Sequence, residues 1–318
     1  MKYNNEFELI YQNILNNNME DLEVARKYAR NEIIKNVIIV SFFLIFGIIV
    51  YIKTEYNITI FRIYLLILIV IYFVYMRYRK ESKLSIYKKE FKKRVIKVLV
   101  DSFDENVKYF PCKGIDSNVY DNAEFDKYHS YNSEDLIYGK LKNDSNFSMA
   151  EVHTYYKTRT RNGEYRYHKL FFGILSVVTT LKPFNAKLYL RQNKNVLNKT
   201  FLFRYPLGKL RVELDSYLFE KNFDVYSSDK IIAMQLLTPD IMQLLIDFKK
   251  KMKINYELTI KSNRIYIRFM CGKMFENTNV LKFSLDKKTL YKYYKMIDFT
   301  LDLSNKLIKL INDTEYGV

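Results

Sequence analysis

Two apolar runs, VIIVSFFLIFGIIVYI at residues 37–52 and ITIFRIYLLILIVIYFVYM at residues 58–76, stand five residues apart and constrain this chain more than anything else in it. As helices they would measure about 24 and about 28 Å, against a hydrocarbon core of about 30 Å. Apolar character all around a helix points to lipid, because a helix on a soluble core keeps a polar outer face. Lys35 and Lys53 flank the first run, and long lysine stems reach headgroups and cover a shortfall in length. Arg62 falls early in the second run, close enough to an interface for its guanidinium to find water. A long polar segment precedes the first run and no small-residue cleavage site follows it, so a cleaved secretory signal is not expected. The expectation is a two-helix transmembrane hairpin at 36–80 with the bilayer as its partner.

The net charge of +17 would suit a nucleic-acid binder if it were spread over the chain. It is not. Residues 77–97 hold ten basic and two acidic groups, which is nearly half of the excess in 21 residues. Arg26, Lys27, Arg30 and Lys35 precede the first run, Arg77, Arg79, Lys80 and Lys83 follow the second, and Lys53 is the one basic residue between them. The positive-inside rule then predicts a multi-pass protein with both termini in the cytoplasm. The abundance of Lys, Asn, Ile, Tyr and Phe suits an A+T-rich bacterial genome, so the bacterial cytoplasmic membrane is the expected location. Cys112 and Cys271 lie far apart, which signals neither a disulfide framework nor a zinc site.

ESKLSIYKKEFKKRVIKVLVDSF, residues 81–103, reads as an amphipathic helix with Leu84, Tyr87, Phe91, Val95, Val98 and Leu99 on one stripe. Lys88, Lys89, Lys92, Lys93, Arg94 and Lys97 are the membrane-surface candidates, each worth about 1 kcal/mol when held near anionic lipid. The same residues also serve as a topology signal, and the two roles are compatible.

From residue 104 the pattern predicts an α+β body with an antiparallel sheet. Candidate strands are Asp135–Leu141, Ser148–Thr158, Tyr165–Thr179, Ala186–Arg191, Leu210–Leu214, Ile231–Leu237, Tyr256–Lys261 and Ile265–Met270. Thr238-Pro239 opens a helix, with Thr as cap and Pro at the first helical position. Leu290, Tyr294, Ile297, Leu301, Ser304, Ile308 and Ile311 form a seam at spacings of four and three, suited to packing on its own sheet or to a coiled coil with a second copy. YNSEDLIYGKL at 131–141 aligns without gaps with YSSDKIIAMQL at 226–236, which is compatible with two tandem half-units at about 104–205 and 206–318, or with chance in a biased composition. The expected organisation is an N-terminal cytoplasmic helix at 1–35, the hairpin at 36–80, a basic helix at 81–103 and a cytoplasmic domain at 104–318.

YKKEFKKRVIKVLV, EDLIYGKL, MAEVHTYYKTR and above all VELDSYLFEKNFDVYSSDKIIAMQLLTPDIMQLL at 212–245 resemble a family of bacterial membrane-anchored proteins known as a domain of unknown function, number 3137. The order of parts is similar too: a polar N-terminal helix, two adjacent spans, then a cytoplasmic domain. The resemblance implies topology and transfers no catalytic residue.

Chemistry leaves little trace. The phosphate-cradling and nucleophile-elbow motifs are absent, and His129, His153 and His168 lack metal-ligand spacing and read as structural imidazoles. No cofactor or metal is expected. Glu134-Asp135 and Asp224…Asp229 are the nearest to paired carboxylates, at places where such residues usually cap or hydrate. TRTRNGEYRYHK at 158–169 contains Asn162-Gly163, a strong type I′ hairpin signal. A two-residue loop would set Arg159 opposite Arg166 and Lys157 opposite His168, which is unfavourable without a counter-charge or water. Lys157, Arg159, Arg161, Arg166 and His168 are therefore anion-binding candidates, with splaying into solvent as the alternative.

The function expected is a membrane-tethered binding or scaffold module for anionic lipid headgroups, a protein partner or a second copy. Two alternatives stay open. One is a membrane-proximal enzyme with dispersed catalytic residues, and the other is nucleic-acid or other anion binding through 157–169, where nucleic acid is the less expected ligand.

Overall fold

The computed structural model describes residues 4–16, 19–54, 57–78, 82–103, 106–141, 144–193, 210–275, 280 and 286–313. In chain order the helical N-terminal part comprises α1 (Asn5–Asn16), α2 (Met19–Lys53), α3 (Ile58–Tyr78), α4 (Lys83–Phe91) and, after a π turn at Lys92–Ile96, α5 (Lys97–Asp101). There follow β1 (Val107–Phe110), α6 (Ser117–Asn122), β2 (Ser130–Lys140), β3 (Asn146–Arg159), β4 (Tyr165–Gln192), β5 (Leu210–Val212), α7 (Tyr217–Glu220), β6 (Phe223–Ser227), α8 (Lys230–Leu236), α9 (Pro239–Met252), β7 (Asn255–Met270) and α10 (Lys287–Asp313). The architecture is α+β with a seven-stranded sheet, as expected. The chain divides into two compact units: Gln12–Val95 with Glu276–Asp286, and Met1–Tyr11 with Ile96–Phe275 and Lys287–Val318.

The first unit is built on α2, which is long and apolar enough to cross a membrane. Only 6% of its most apolar window is buried, which separates it from the core helix of a soluble protein. Its polar first half buries Leu22, Arg26 and Ala29 at helical spacing. There Arg26 holds Glu23 and the Val280 carbonyl, and Arg94 reaches Asp21 at 3.2 Å. The apolar half meets α3 at Gly47, where an added Cβ would lie 2.5 Å from the Tyr64 ring. The Tyr64 hydroxyl donates to the Phe43 carbonyl at 2.6 Å, and Tyr51 packs on Phe61. Asn57 caps α3 by accepting from the Thr59 amide at 3.0 Å.

The second unit is organised by β4, a 28-residue strand. Its first half pairs with β3 and its last residues with β6, while β7 runs along its other edge; every pairing in the sheet is antiparallel. Register shifts between Thr179 and Lys187, beside Pro183, divide β4, and Ser262 at positive φ marks the matching irregularity in β7. The candidate strand pairs on either side of these breaks are thus single bent strands. One face of the sheet carries Phe269 and Tyr256, covered by Phe248 of α9 and Phe299 of α10. The other carries Ala150, Val152, Leu175, Val177 and Tyr266, covered by Ile115, Tyr120 and Phe125.

Thr238 caps α9 as predicted, accepting from the Ile241 amide at 3.4 Å. The seam of α10 is buried at Leu290, Tyr294, Ile297, Ser304, Ile308 and Ile311 against the chain itself. Phe7 of α1 adds to it by packing on Tyr291 with centroids 5.0 Å apart. One candidate strand is corrected: Ile231–Leu237 falls in α8. Asp229 sets this by accepting from the amides of Ile231 and Ile232, which satisfies the donors of a first helical turn. The aligned segments 131–141 and 226–236 consequently differ, one lying along β2 and the other turning from β6 into α8, so they are not copies of one local structure.

Candidate functional site

The basic hairpin is present but its register is not the expected one. Gly163 has φ +83 while Asn162 keeps negative φ, and the Gly163 amide donates to the Thr160 carbonyl at 3.0 Å. This is a type I turn closed by a left-handed glycine, which carries one more loop residue than a type I′ turn. The ladder slips accordingly. Arg159 pairs with Tyr165, Thr158 with Arg166, Lys157 with Tyr167 and Tyr156 with His168. No like charges sit opposite each other at these positions. Instead Lys157 Nζ lies 3.5 Å from the Tyr165 ring centroid and 6.0 Å from that of Tyr167. Directly paired residues share a face, so Lys157 and Arg159 fall on one face, Arg166 and His168 on the other, and Arg161 in the turn. The expected grouping of Lys157, Arg159, Arg166 and His168 is corrected by that slip of one residue.

The candidates on the basic helix also separate. Lys89, Lys93 and Lys97 are exposed, Lys88 is half-buried and Lys92 is buried. Arg94 is held by Glu90 at 2.6 Å as well as by Asp21, and this carboxylate pair raises its pKa above the ordinary arginine value against the opposing effect of burial.

A different cluster lies on the sheet face that carries Phe172 and Phe269. Glu134 of β2 stands opposite Glu151 of β3, and His153 is two residues further along β3, on the same side of the strand. A bulge follows Glu134, with Asp135 at φ +60. Glu151 is fully buried and His153 nearly so. One donor atom from each of Glu134, Glu151 and His153 lies within 4.8 Å of the others. The Glu151 Oε2 atom accepts from the amides of Met274 at 3.0 Å and Phe275 at 3.4 Å. Its Oε1 atom pairs with His153 Nε2 at 2.8 Å, and beyond that pair neither atom has a hydrogen-bond partner. The His153 ring is fixed by stacking on Phe172, with centroids 4.3 Å apart and planes at 17°.

Negative charge accumulates around this point. Burial would raise the pKa of Glu151, but His153 and the two amides outweigh it and hold the carboxyl below its ordinary value. The Tyr109 hydroxyl donates to the buried Asp135; burial, and then Asp135, Glu134 and Glu151, push its pKa well above the usual tyrosine value. Lys273 approaches Glu134 at 3.7 Å. His153 thus takes part in a polar cluster, where spacing alone had suggested a structural imidazole. The missed signal was Glu-x-His within a strand, a spacing that puts both side chains on one face.

The opposite sheet face holds a buried ion network with a structural role. Arg268 donates to Glu257 at 2.8 Å and to the Tyr120 hydroxyl at 3.0 Å, and it pairs with Asp126. Arg191 donates to the Leu258 carbonyl at 2.9 Å and to that of Glu124 at 3.2 Å. Phe125 lies beneath both guanidiniums, at 4.5 and 4.9 Å. Burial lowers the pKa of Arg191, whereas in Arg268 the carboxylates of Asp126 and Glu257 overcome the same effect and raise it. Of the remaining carboxylate candidates, Asp229 caps α8 and Asp224 lies 3.5 Å from Arg211.

Residues 169–309 match the model of the family described as "Protein of unknown function (DUF3137)", which bears out the family resemblance over that part of the chain. Among solved structures, the mycobacterial trehalose monomycolate transport factor A, TtfA, is similar with a TM-score of 0.40 and 8% identity, over 70% of this chain and 93% of that one. A likeness of that size carries no argument about function. No curated protein matches the chain.

Proposed function

We propose that the chain is a multi-pass membrane protein whose α2–α3 hairpin anchors an α+β binding module on the cytoplasmic side of the bilayer. The observation that carries this reading is the exposed apolar half of α2, joined to α3 through Gly47 and Tyr64, with large side chains from Val37 to Ile52 and Ile58 to Ile71 open to their surroundings. An apolar surface of that extent needs a lipid neighbour. The asymmetry of Lys and Arg supports cytoplasmic termini. Exposed Lys89, Lys93 and Lys97, and Lys157 and Arg159 on the hairpin, support anionic headgroups or an acidic protein partner as the ligand.

The experiment combines extraction with thiol labelling. The protein is expected to stay with membranes through an alkaline carbonate wash and to leave with detergent. Release as a monodisperse species without detergent would overturn the reading. Exposed Cys112 is a built-in reporter, since the Cys271 thiol, pushed up to about 12 by burial, stays protonated and slow. A membrane-impermeant maleimide should modify Cys112 only after permeabilisation, and should modify a Thr54→Cys variant from outside intact cells. Cys112 labelling in intact cells would reverse the orientation.

A further inference from the structure

We infer that Glu134, Glu151 and His153 form a binding site for one transition-metal dication of the zinc, cobalt or manganese class. The side chains come from adjacent positions of β2 and β3, so the sheet ladder fixes two of the three backbones directly opposite each other. The strongest observation is the buried pair of atoms Glu151 Oε1 and His153 Nε2, 2.8 Å apart, neither of which has a hydrogen bond from any other group. Two atoms bound at about 2.0–2.1 Å to one ion, at right angles to each other, stand about 2.9 Å apart. The pair therefore already has the separation of neighbouring ligands, and a cation between them satisfies both lone pairs at once.

The surroundings suit that role. Ligating carboxylates and imidazoles are normally oriented by partners behind them. Here the second oxygen of Glu151 is held by the Met274 and Phe275 amides, and the imidazole plane of His153 is set by Phe172. Glu134 is the adjustable member. Its side chain is partly exposed, and the 4.8 Å spread of the three donor atoms must close by about 1.5–2 Å to reach coordination distances. A donor set of one imidazole nitrogen and two carboxylates favours zinc, cobalt and manganese over magnesium, which prefers oxygen alone. Right-angle ligands belong to a five- or six-coordinate ion, so three protein ligands leave the remaining positions to water, on the side from which Glu134 reaches solvent.

The test uses the full chain in detergent, stripped with EDTA and titrated with Zn²⁺ alone and with Co²⁺ alone. One equivalent should bind, with Co²⁺ giving a ligand-field band in the visible and Mg²⁺ failing to compete. His153→Gln should abolish the band. Glu134→Gln, at a partly exposed position that leaves the core untouched, should weaken Zn²⁺ at least tenfold. His168→Gln, on the exposed hairpin, serves as a control and should bind like the parent chain. Absence of stoichiometric binding by the parent chain would overturn the inference, as would unchanged affinity in Glu134→Gln and His153→Gln variants that circular dichroism shows to be folded. In either case Glu151 and His153 would be an ion pair only.

Discussion

The two halves of the β3–β4 ladder place charge in opposite settings. In the outer half, from Tyr155 to Arg159 and Tyr165 to Lys169, basic side chains reach water and Lys157 lies over two tyrosine rings. In the inner half, from Asn146 to Thr154 and Phe171 to Thr179, one acid and one imidazole are sealed from water beside backbone amides. A register shift between Thr154 and Tyr155 separates the halves. The same two strands thus hold charge cheaply at one end, where solvent screens it, and at a high cost of desolvation at the other, where every partner matters. At the inner end the cost of desolvation has to be offset by the Met274 and Phe275 amides and by the Glu151–His153 contact.

The largest break in this comparison should come from Glu151→Ala. It leaves the Met274 and Phe275 amides without their acceptor and His153 without its neighbour. The expected loss is about 2–4 kcal/mol, read as a lower denaturant midpoint in detergent with EDTA present. Next is Gly173→Ala. Gly173 lies so close to the Phe269 carbonyl that a methyl group overlaps it, and moving two paired strands apart should cost about 1–3 kcal/mol. Thermal unfolding would show this as a lower midpoint. In the outer half, Gly163→Ala meets no packing obstacle, since the nearest contact is the flexible Arg159 guanidinium at 3.9 Å. Its cost comes from φ +83 alone and should be about 1 kcal/mol. A loss as large as that of Gly173→Ala would mean that the outer turn is packed as tightly as the core.

The sequence carried the apolar runs, the Thr238-Pro239 cap and the α10 seam, because each is local or periodic. It did not carry facts that depend on a single torsion or on register. Asn162-Gly163 fits both a type I′ turn and a type I turn with a left-handed glycine, and one φ angle decides which side chains meet across five residue pairs of ladder. Ile231–Leu237 is a short apolar run that suits strand or helix equally, and the Asp229 side chain decides it. The Glu151-x-His153 pair was visible as a pattern. Glu134 joins it only through the β2–β3 register and the bulge at Asp135, which no spacing along the chain reveals.

The smallest effect should come from Lys157→Ala. The lysine lies over Tyr165 and Tyr167 but remains on an exposed hairpin, so its interaction with the rings is worth about 0.5 kcal/mol. A double-mutant cycle with Tyr165→Ala isolates that coupling from changes in hairpin propensity. Its expected value is near the limit of measurement, and the Glu151 half should respond to neither change because the shift after Thr154 separates the two packing environments. Desolvated cation–π pairs are stronger, at about 2 kcal/mol. A measured coupling of that size would therefore show the outer half covered in the folded protein, and the contrast between the two ends of the ladder would collapse.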